Sequence, residues 1–147
     1  MIRALTSADI DTVIDIWLTA SIESHHFVEK EYWHSQVNIM RDVYIPNSAT
    51  YVFVLNSKVV GFYSLLENML AAIFIAPAFQ NQKIGTQLIE HAKQQSDALT
   101  LNVYKQNNAS YQFYLSQGFT LLSEQLCEHT GHPTYSMVSV TLERESK

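Results

Sequence analysis

Cysteine, positive charge and long apolar runs are all scarce in this sequence of 147 residues. The single cysteine, Cys127, excludes an internal disulfide, and the opening MIRALTSADI lacks the charged-then-apolar layout of a signal peptide. We therefore expect a reducing, cytoplasmic compartment. No uninterrupted apolar segment approaches the ~18 residues that suggest a membrane span. The histidines follow no metal-ligand spacing, so no metal is expected.

Basic residues are few and dispersed. The chain has 14 acidic and 9 basic residues, a net charge of −5, and no cluster of Lys and Arg. This balance disfavours nucleic acid as the main partner. In contrast, apolar material is plentiful at 47% of the residues. Length and composition together predict one compact domain over residues 1–147 with a real core.

Hydrophobic periodicity predicts the element order β, α, α, β, β, β, α, β, α, β, β. The first helix follows a cap at Thr6 or Ser7, and the second runs from about residue 29 to 42 and ends near Pro46. Asn56-Ser57 lies at the turn of a predicted β-hairpin. The last strand is predicted over 135–142. This order indicates an α/β (α+β) fold, a mixed sheet with helices on its faces.

The stretch FIAPAFQNQKIGTQLIEHA, residues 74–92, joins a strand to a helix through a polar turn. Such a junction directs several backbone N–H groups one way, with the positive end of the helix dipole behind them, and so favours an anion such as phosphate. Gly85 would let the backbone approach a ligand, and Lys83 adds a positive charge. An ordinary strand-to-helix connection explains the stretch equally well. The P-loop and dinucleotide fingerprints are both absent.

A second informative stretch is LNVYKQNNASYQFYLSQGF, residues 101–119. With the first, it resembles the GNAT superfamily of acetyl-coenzyme A-dependent N-acetyltransferases. The family's loop [RQ]-x-x-G-x-[GA] corresponds to residues 80–85. Its later motif, N-x-x-A-x-x-F-Y-x-x-x-G-F, is met by Asn107, Ser110, Phe113, Tyr114, Gly118 and Phe119. Two positions depart from the pattern: Lys83 replaces a glycine and Ser110 an alanine.

The resemblance covers essentially the whole chain and implies a mixed, mostly antiparallel central sheet of about seven strands with four helices on its faces. It implies acetyl-CoA as the acyl donor. Family likeness assigns the cofactor contacts to Ile73, Phe74 and Ile75 on a splayed strand, to Gln80, Asn81, Gln82, Lys83, Ile84, Gly85 and Thr86 in the loop and helix start, and to Asn107. Asn107 serves equally well as a helix cap or turn residue.

For chemistry, the resemblance assigns Tyr114 as the general acid that protonates the departing thiolate. Without the motif, Tyr114 reads as a packing tyrosine like Tyr111. Glu67, at the turn before the cofactor strand, is the carboxylate that family analogy favours as the base. A solvated turn glutamate is the simpler interpretation of that residue. Imidazole is a common general base, so the histidines His25, His26, His129 and His132 are further candidates.

The acceptor is expected to be a primary amine on a protein, a peptide or a polyamine-like molecule, acetylated by direct transfer. Residues that the fold would bring to the acceptor cleft are His25, His26, Phe27, His132 and Tyr135. Each alone is typical of a surface or packing side chain. The acidic residues Glu29, Glu31 and Glu128 would suit a cationic acceptor, although such charges more often form a solvated face.

Two other functions fit the same motifs. One is a non-catalytic acyl-CoA-binding sensor or regulatory module, with Lys83 marking lost turnover; the presence of Tyr114 and Asn107 disfavours it. The other is a toxin-like acetyltransferase of aminoacyl-tRNA, which the net charge of −5 disfavours. Neither nucleic acid nor a membrane is expected as a partner, and both a monomer and a homodimer are compatible with the sequence.

Overall fold

The computed structural model describes residues 1–140 of the chain. The strands are β1 (Ile2–Ala4), β2 (Ala49–Leu55), β3 (Lys58–Leu66), β4 (Met69–Ile75), β5 (Ala98–Tyr104), β6 (Thr120–Leu126) and β7 (Pro133–Val140). The helices are α1 (Ile10–Ser24), α2 (Lys30–Ser35), the single turn α3 (Val37–Ile39), α4 (Ile84–Gln95) and α5 (Asn108–Ser116). Short 3-10 turns occupy Ser7–Asp9 and Pro77–Phe79.

The strands of the described residues form one seven-stranded sheet in the order β1-β2-β3-β4-β5-β7-β6. Every neighbouring pair is antiparallel except β4 and β5, which are parallel. The predicted mixed, mostly antiparallel sheet is therefore confirmed. Strand β7 begins at Pro133, two residues earlier than predicted, and the predicted end at 141–142 lies outside the described residues.

The β2–β3 hairpin turns at Asn56-Ser57, as the sequence predicted. Asn56 and Ser57 both have positive φ, 52° and 65°, as a type I′ turn requires. The β3–β4 hairpin also turns within two residues, and Glu67 there has a φ of 56°. These two turns make β2, β3 and β4 a three-stranded meander, in which β4 pairs with β3 along its length.

The predicted second helix exists but is irregular. Helix α2 ends at Ser35, and α3 adds one turn. Met40–Tyr44 is a π-helical turn closed by a bond from the Ile45 N–H to the Met40 oxygen, 2.9 Å. Trp33 and Met40 are nevertheless buried on the predicted apolar face. Counting this segment as one helix gives four helices in the described chain, as expected.

Each face of the sheet carries its own apolar cluster. One cluster packs α1 and the irregular helical segment against the β2–β4 region, and includes Trp17 and Trp33, whose rings meet edge-on at 6.0 Å. The other packs α4 and α5 against the opposite face and includes Leu88, Leu101 and Phe119. No helix within residues 1–140 combines the length and the apolarity needed to cross a membrane.

Candidate active site

Strands β4 and β5 separate almost as soon as they meet. Their one registered pair is Met69 with Thr100, and the Thr100 N–H donates to the Asn68 oxygen at 3.0 Å. Beyond that point β4 pairs with β3 and β5 pairs with β7, so the edges that face each other have no ladder between them in the described chain. The result is a wedge-shaped gap that opens toward the carboxyl ends of both strands.

Backbone groups of β4 point into this gap. In an antiparallel pair, consecutive residues point their N–H groups alternately toward and away from the partner strand. The Ala76 N–H donates to the Val60 oxygen of β3 at 2.8 Å. Counting back along β4, Phe74 also faces β3, whereas Ile75 and Ile73 face the gap. Consistently, the Ile75 carbonyl accepts a bond from the Gln80 side chain at 3.1 Å.

A β-bulge interrupts β4 just below these residues. Ser64 pairs with Ala72 but Leu65 pairs with Leu70, so Ala71 is an extra residue on β4. Bulges bend a strand and are common beside active sites. Here the bulge lies close to the point where β4 leaves β5.

The junction after β4 has the expected anion-binding form. The first backbone bond of α4 runs from the Gln87 N–H to the Lys83 oxygen, 3.2 Å, and no side chain caps the helix start. The N–H groups of Ile84, Gly85 and Thr86 therefore lack intrahelical partners. Two loop residues, Asn81 and Lys83, have left-handed φ values of 66° and 64°. The Gln82 and Lys83 side chains are exposed beside these N–H groups.

Gly85 lies where α4 packs closely on its neighbours. A Cβ atom at Gly85 would lie 3.1 Å from Phe113 Cζ and 3.3 Å from Ile75 Cδ1. The absence of a side chain lets α4 approach α5 and the end of β4. The glycine that the sequence suggested for a backbone–ligand approach thus brings three elements of the site together.

The Tyr114 ring lies on α5 beside this junction. It is half-buried and contacts Phe113 at 5.5 Å and Phe119 at 5.8 Å between ring centroids. Burial raises the pKa of the Tyr114 phenol, and no hydrogen-bond partner offsets that shift within residues 1–140. The hydroxyl is therefore a proton-bearing group at every physiological pH.

Asn107 caps α5 and also contacts the end of α1. Its Oδ1 accepts from the Ser110 N–H at 3.3 Å, and its Nδ2 lies 3.3 Å from His25 Nε2. His25 is 8% exposed, and its Nδ1 donates to the Ser21 carbonyl at 3.1 Å. Both ring nitrogens of His25 are thus engaged within the protein, which leaves neither for an acceptor.

An aromatic group surrounds the open end of the gap on the α1 side. The Phe27 ring contacts Tyr104 at 5.4 Å and His132 at 5.2 Å, and the exposed His26 lies 5.9 Å from Phe27. We call Phe27, Tyr104 and His132 the acceptor wall. It joins the α1–α2 connection to the β6–β7 loop, so the structure does bring His25, His26, Phe27 and His132 together.

Two cavities flank the β6–β7 loop. The larger, about 590 Å³, is lined by Asn102, Tyr104, Gln125, Leu126, Cys127, Glu128, His129 and Thr134. The smaller, about 320 Å³, is lined by Phe27, Val28, Glu29, Tyr32, His129, Thr130 and His132. His129 lines both cavities. Each cavity also has one carboxylate, Glu128 or Glu29, which suits a cationic ligand.

The Tyr104 hydroxyl holds the β6–β7 loop. Thr130 Oγ1 donates to it at 3.4 Å, and Cys127 Sγ lies 3.5 Å away. Burial raises the pKa of the Cys127 thiol, but hydrogen bonds with Thr130 and Tyr104 outweigh it and bring the pKa below its ordinary value. Burial raises the pKa of Tyr104. Sequence reasoning missed Tyr104, Cys127 and Thr130; the one available signal was the position of Tyr104 at the very end of its strand.

Two predicted site residues lie apart from the acceptor wall. Tyr135 pairs with Val103 on the opposite face of the sheet, where its ring contacts Tyr111 at 4.7 Å. Glu67 lies at the closed end of the gap, before the Met69–Thr100 pair. Because the bulge at Ala71 adds a residue without adding a full step, Ile73 lies three levels beyond that pair, beside Val103, and Glu67 is more than ~10 Å along the strand from Ile73. A single acetyl group cannot contact both Ile73 and Glu67.

Among residues 1–140, no group of three or more His, Cys, Asp or Glu side chains is arranged to hold a metal ion.

Comparison with known proteins gives concordant matches. Residues 19–140 match the family described as an acetyltransferase (GNAT) domain. The chain is 31% identical over 138 residues to the peptidyl-lysine N-acetyltransferase YiaC of Escherichia coli, covering 93% of this chain and 94% of that protein. It is 28% identical over 133 residues to the peptidyl-lysine N-acetyltransferase YjaB of Escherichia coli, covering 90% of each.

Solved structures share the fold. The solution structure of apo YjaB from Escherichia coli has a TM-score of 0.84 at 26% identity and covers 95% of this chain and 97% of that one. The PaiA N-acetyltransferase of Thermoplasma acidophilum, solved in complex with coenzyme A, has a TM-score of 0.78 at 19% identity, with 95% and 98% covered.

Proposed function

Because this chain belongs to the GNAT family of acetyltransferases, we propose that it transfers an acetyl group from acetyl-CoA to the side-chain amine of a peptidyl lysine. The observation that carries the proposal is the gap between β4 and β5 with the uncapped start of α4 at its open end. The acceptor class rests on the names of the relatives, peptidyl-lysine N-acetyltransferases at 28–31% identity.

The cofactor phosphates would bind the N–H groups of residues 84–86, with the loop 80–83 around them. Free N–H groups and the helix dipole together favour a negative ligand. The exposed Lys83 ammonium would add a mobile positive charge. No covalent chemistry is needed here, since this part of the site only holds the donor.

The pantetheine arm would lie along β4 as an additional strand in the gap. The N–H groups of Ile73 and Ile75 face that gap, and Phe74 lies between them. In this arrangement the thioester oxygen would accept from a backbone N–H, which stabilises negative charge as the carbonyl becomes tetrahedral. Asn107 keeps one amide hydrogen of Nδ2 for a carbonyl of the arm.

The lysine side chain would approach past the acceptor wall. Counting residue levels from the Met69–Thr100 pair supports this, because an acetyl group held at Ile73 would lie beside Val103, the residue before Tyr104. Glu29 and Glu128 in the two flanking cavities would attract an ammonium group. His129, which lines both cavities, is the group that we propose to take the proton from this ammonium.

The neutral amine would attack the thioester carbonyl carbon, and the nitrogen would then lose a proton to water as the C–S bond of the intermediate breaks, which leaves the amide and the thiolate of coenzyme A. Tyr114 would donate to that sulfur. Its raised pKa makes complete proton transfer to a thiol uphill, so the main contribution of the hydroxyl is a charge-assisted hydrogen bond to the departing thiolate.

The proposal is tested first by binding. Acetyl-CoA at about 100 times its dissociation constant should stabilise the protein by ~2.7 kcal/mol, seen as a rise in melting temperature. Gln82→Glu adds a negative charge beside the phosphate site and should weaken binding several-fold at low salt. Gln94→Glu makes the same change at the far end of α4 and should not. No thermal shift at millimolar acetyl-CoA contradicts the proposal.

Turnover is tested by release of free coenzyme A with lysine peptides as acceptors. We expect acetylation of the side-chain amine, located by mass spectrometry. If acetyl-CoA binds but no peptide or small amine is acetylated, the protein is instead an acyl-CoA-binding sensor. This second function is tested because Lys83 stands where the family loop has a glycine.

A further inference from the structure

His25 occupies a closed aromatic environment at the end of α1. Its imidazole lies 5.1 Å from the Trp33 ring, 5.1 Å from Tyr104 and 5.7 Å from Phe27, measured between centroids. The residue is 8% exposed. Tyr104 is the titratable group that packs directly on it.

The hydrogen bonds of His25 determine its tautomer. A carbonyl oxygen only accepts, so the 3.1 Å contact with the Ser21 oxygen requires the proton on Nδ1. Burial lowers the pKa of His25 to about 4, and the ring is neutral at pH 7. Nε2 is therefore an acceptor, and the amide of Asn107 must turn its Nδ2 toward His25.

This orientation agrees with the other contact of the amide. With Nδ2 on His25, Asn107 Oδ1 is the atom that accepts from the Ser110 N–H and caps α5. Two independent contacts thus select the same rotamer and the same amide orientation. One comes from the helix that follows Asn107, and the other from a residue 82 positions away in sequence.

We infer that His25 is a positioning residue for the acyl donor: by accepting from Asn107 Nδ2, it holds the Asn107 amide so that the second Nδ2 hydrogen is available to a carbonyl of the pantetheine arm. This rests on the proposed function, in which Asn107 contacts that arm. His25 touches neither donor nor acceptor in this arrangement. It acts on donor affinity, through one neutral hydrogen bond.

The binding test uses the full chain and coenzyme A, titrated by calorimetry. His25→Phe keeps an aromatic ring but removes both hydrogen bonds, and should weaken coenzyme A binding about three- to tenfold, the range of one net hydrogen bond. The KM for acetyl-CoA should rise by the same factor while kcat changes less than about twofold. His34→Phe, the same change at an exposed position of α2, should leave both unchanged.

A double-mutant cycle separates positioning from general loosening. Asn107→Ala should weaken binding, and His25→Phe added to it should weaken binding no further. Additive losses overturn the inference, as does His25→Phe binding like the parent protein. Failure of the parent protein itself to bind coenzyme A would instead refute the proposed function.

A spectroscopic measurement on the unmodified protein covers the case in which His25→Phe does not fold. The ring nitrogens of ¹⁵N-labelled histidine distinguish a protonated from an unprotonated site. We expect His25 at pH 7 to carry its proton on Nδ1, with Nε2 bare, and the Nε2 shift to change when coenzyme A is added. A proton on Nε2 overturns the inference.

Discussion

The Tyr114 side chain differs from phenylalanine by one hydroxyl oxygen, and its ring packs against Phe113 and Phe119. Tyr114→Phe removes that atom and keeps the packing. Coenzyme A affinity should therefore survive, while turnover falls by ~10–10²-fold, the usual contribution of one hydrogen bond to a charged group. The measurement is a single-turnover rate with the donor site filled and a saturating lysine peptide.

Tyr111→Phe is the matched control on the same helix. Tyr111 contacts Tyr135 on the sheet face away from the acceptor wall, so its hydroxyl should be dispensable. Equal activity of the two variants would make Tyr114 a packing residue. Loss of coenzyme A binding in Tyr114→Phe would make its hydroxyl structural.

Single substitutions also distinguish the two candidate bases, Glu67 and His129. Glu67 follows from family likeness, and His129 from its position in both cavities. Because Glu67 lies more than ~10 Å along β4 from Ile73, we expect Glu67→Gln to keep turnover within about twofold. His129→Gln should lower turnover at neutral pH, because it removes the proposed base, and should change the shape of the pH–rate profile.

The reverse pattern would restore the prediction from family likeness. If Glu67→Gln is the inactive variant and His129→Gln retains the pH–rate profile, Glu67 is the base, and the thioester must lie much nearer the closed end of the gap than Ile73.

At the scale of elements, the junction of β4 and α4 contains Lys83 in a left-handed backbone conformation. A non-glycine residue at a φ of 64° costs ~1 kcal/mol or more relative to glycine. Lys83→Gly should therefore leave the free energy of unfolding unchanged or raise it by up to ~1 kcal/mol, since glycine also gains chain entropy when unfolded. Urea unfolding of the unliganded protein measures this.

The same substitution tests what the side chain does for the ligand. If the ammonium contacts a phosphate, both Lys83→Gly and Lys83→Ala should weaken coenzyme A binding, more at low than at high salt. Tenfold tighter binding by Lys83→Gly would show instead that the lysine obstructs the loop.

For the whole molecule, His25 predicts sensitivity to acid. Its folded pKa, about 4, lies below the ordinary value of 6.5, so between these values the unfolded chain binds a proton that the folded chain does not. Stability is then full above about pH 6.5 and falls as the pH drops toward 4. The loss by pH 4.5 should be about 2–3 kcal/mol.

Urea unfolding at pH 7.5 and 4.5 checks this, with His25→Phe as the comparison. The variant should lose clearly less stability between the two pH values than the parent. Burial also lowers the pKa of His91, but that residue is present in both proteins and cancels. Equal pH dependence of the two proteins would mean that His25 is accessible to protons in the fold.

The order of elements, the hairpin turn at Asn56-Ser57 and the uncapped helix start at the junction 80–86 were all predictable from the sequence. Each depends on local chemistry: positive φ, hydrophobic period and unpaired N–H groups within a few residues of one another. The family itself was readable because two such local motifs, around Gly85 and Tyr114, occur in the right order. The irregular helix after Ser35 kept its apolar face for the same reason, although its backbone did not stay regular.

Only the tertiary structure decided which side chains meet. Tyr135 and Phe27 were equally plausible as parts of an aromatic wall, but strand register sends Tyr135 to the opposite face of the sheet, and one residue of register reverses that assignment. The contact of His25 with Asn107 spans 82 positions and depends on how α1 and α5 pack at the open end of the gap. Glu67 directly precedes β4 in sequence yet lies more than ~10 Å along the strand from Ile73, because an extended strand adds ~3.3 Å with every residue.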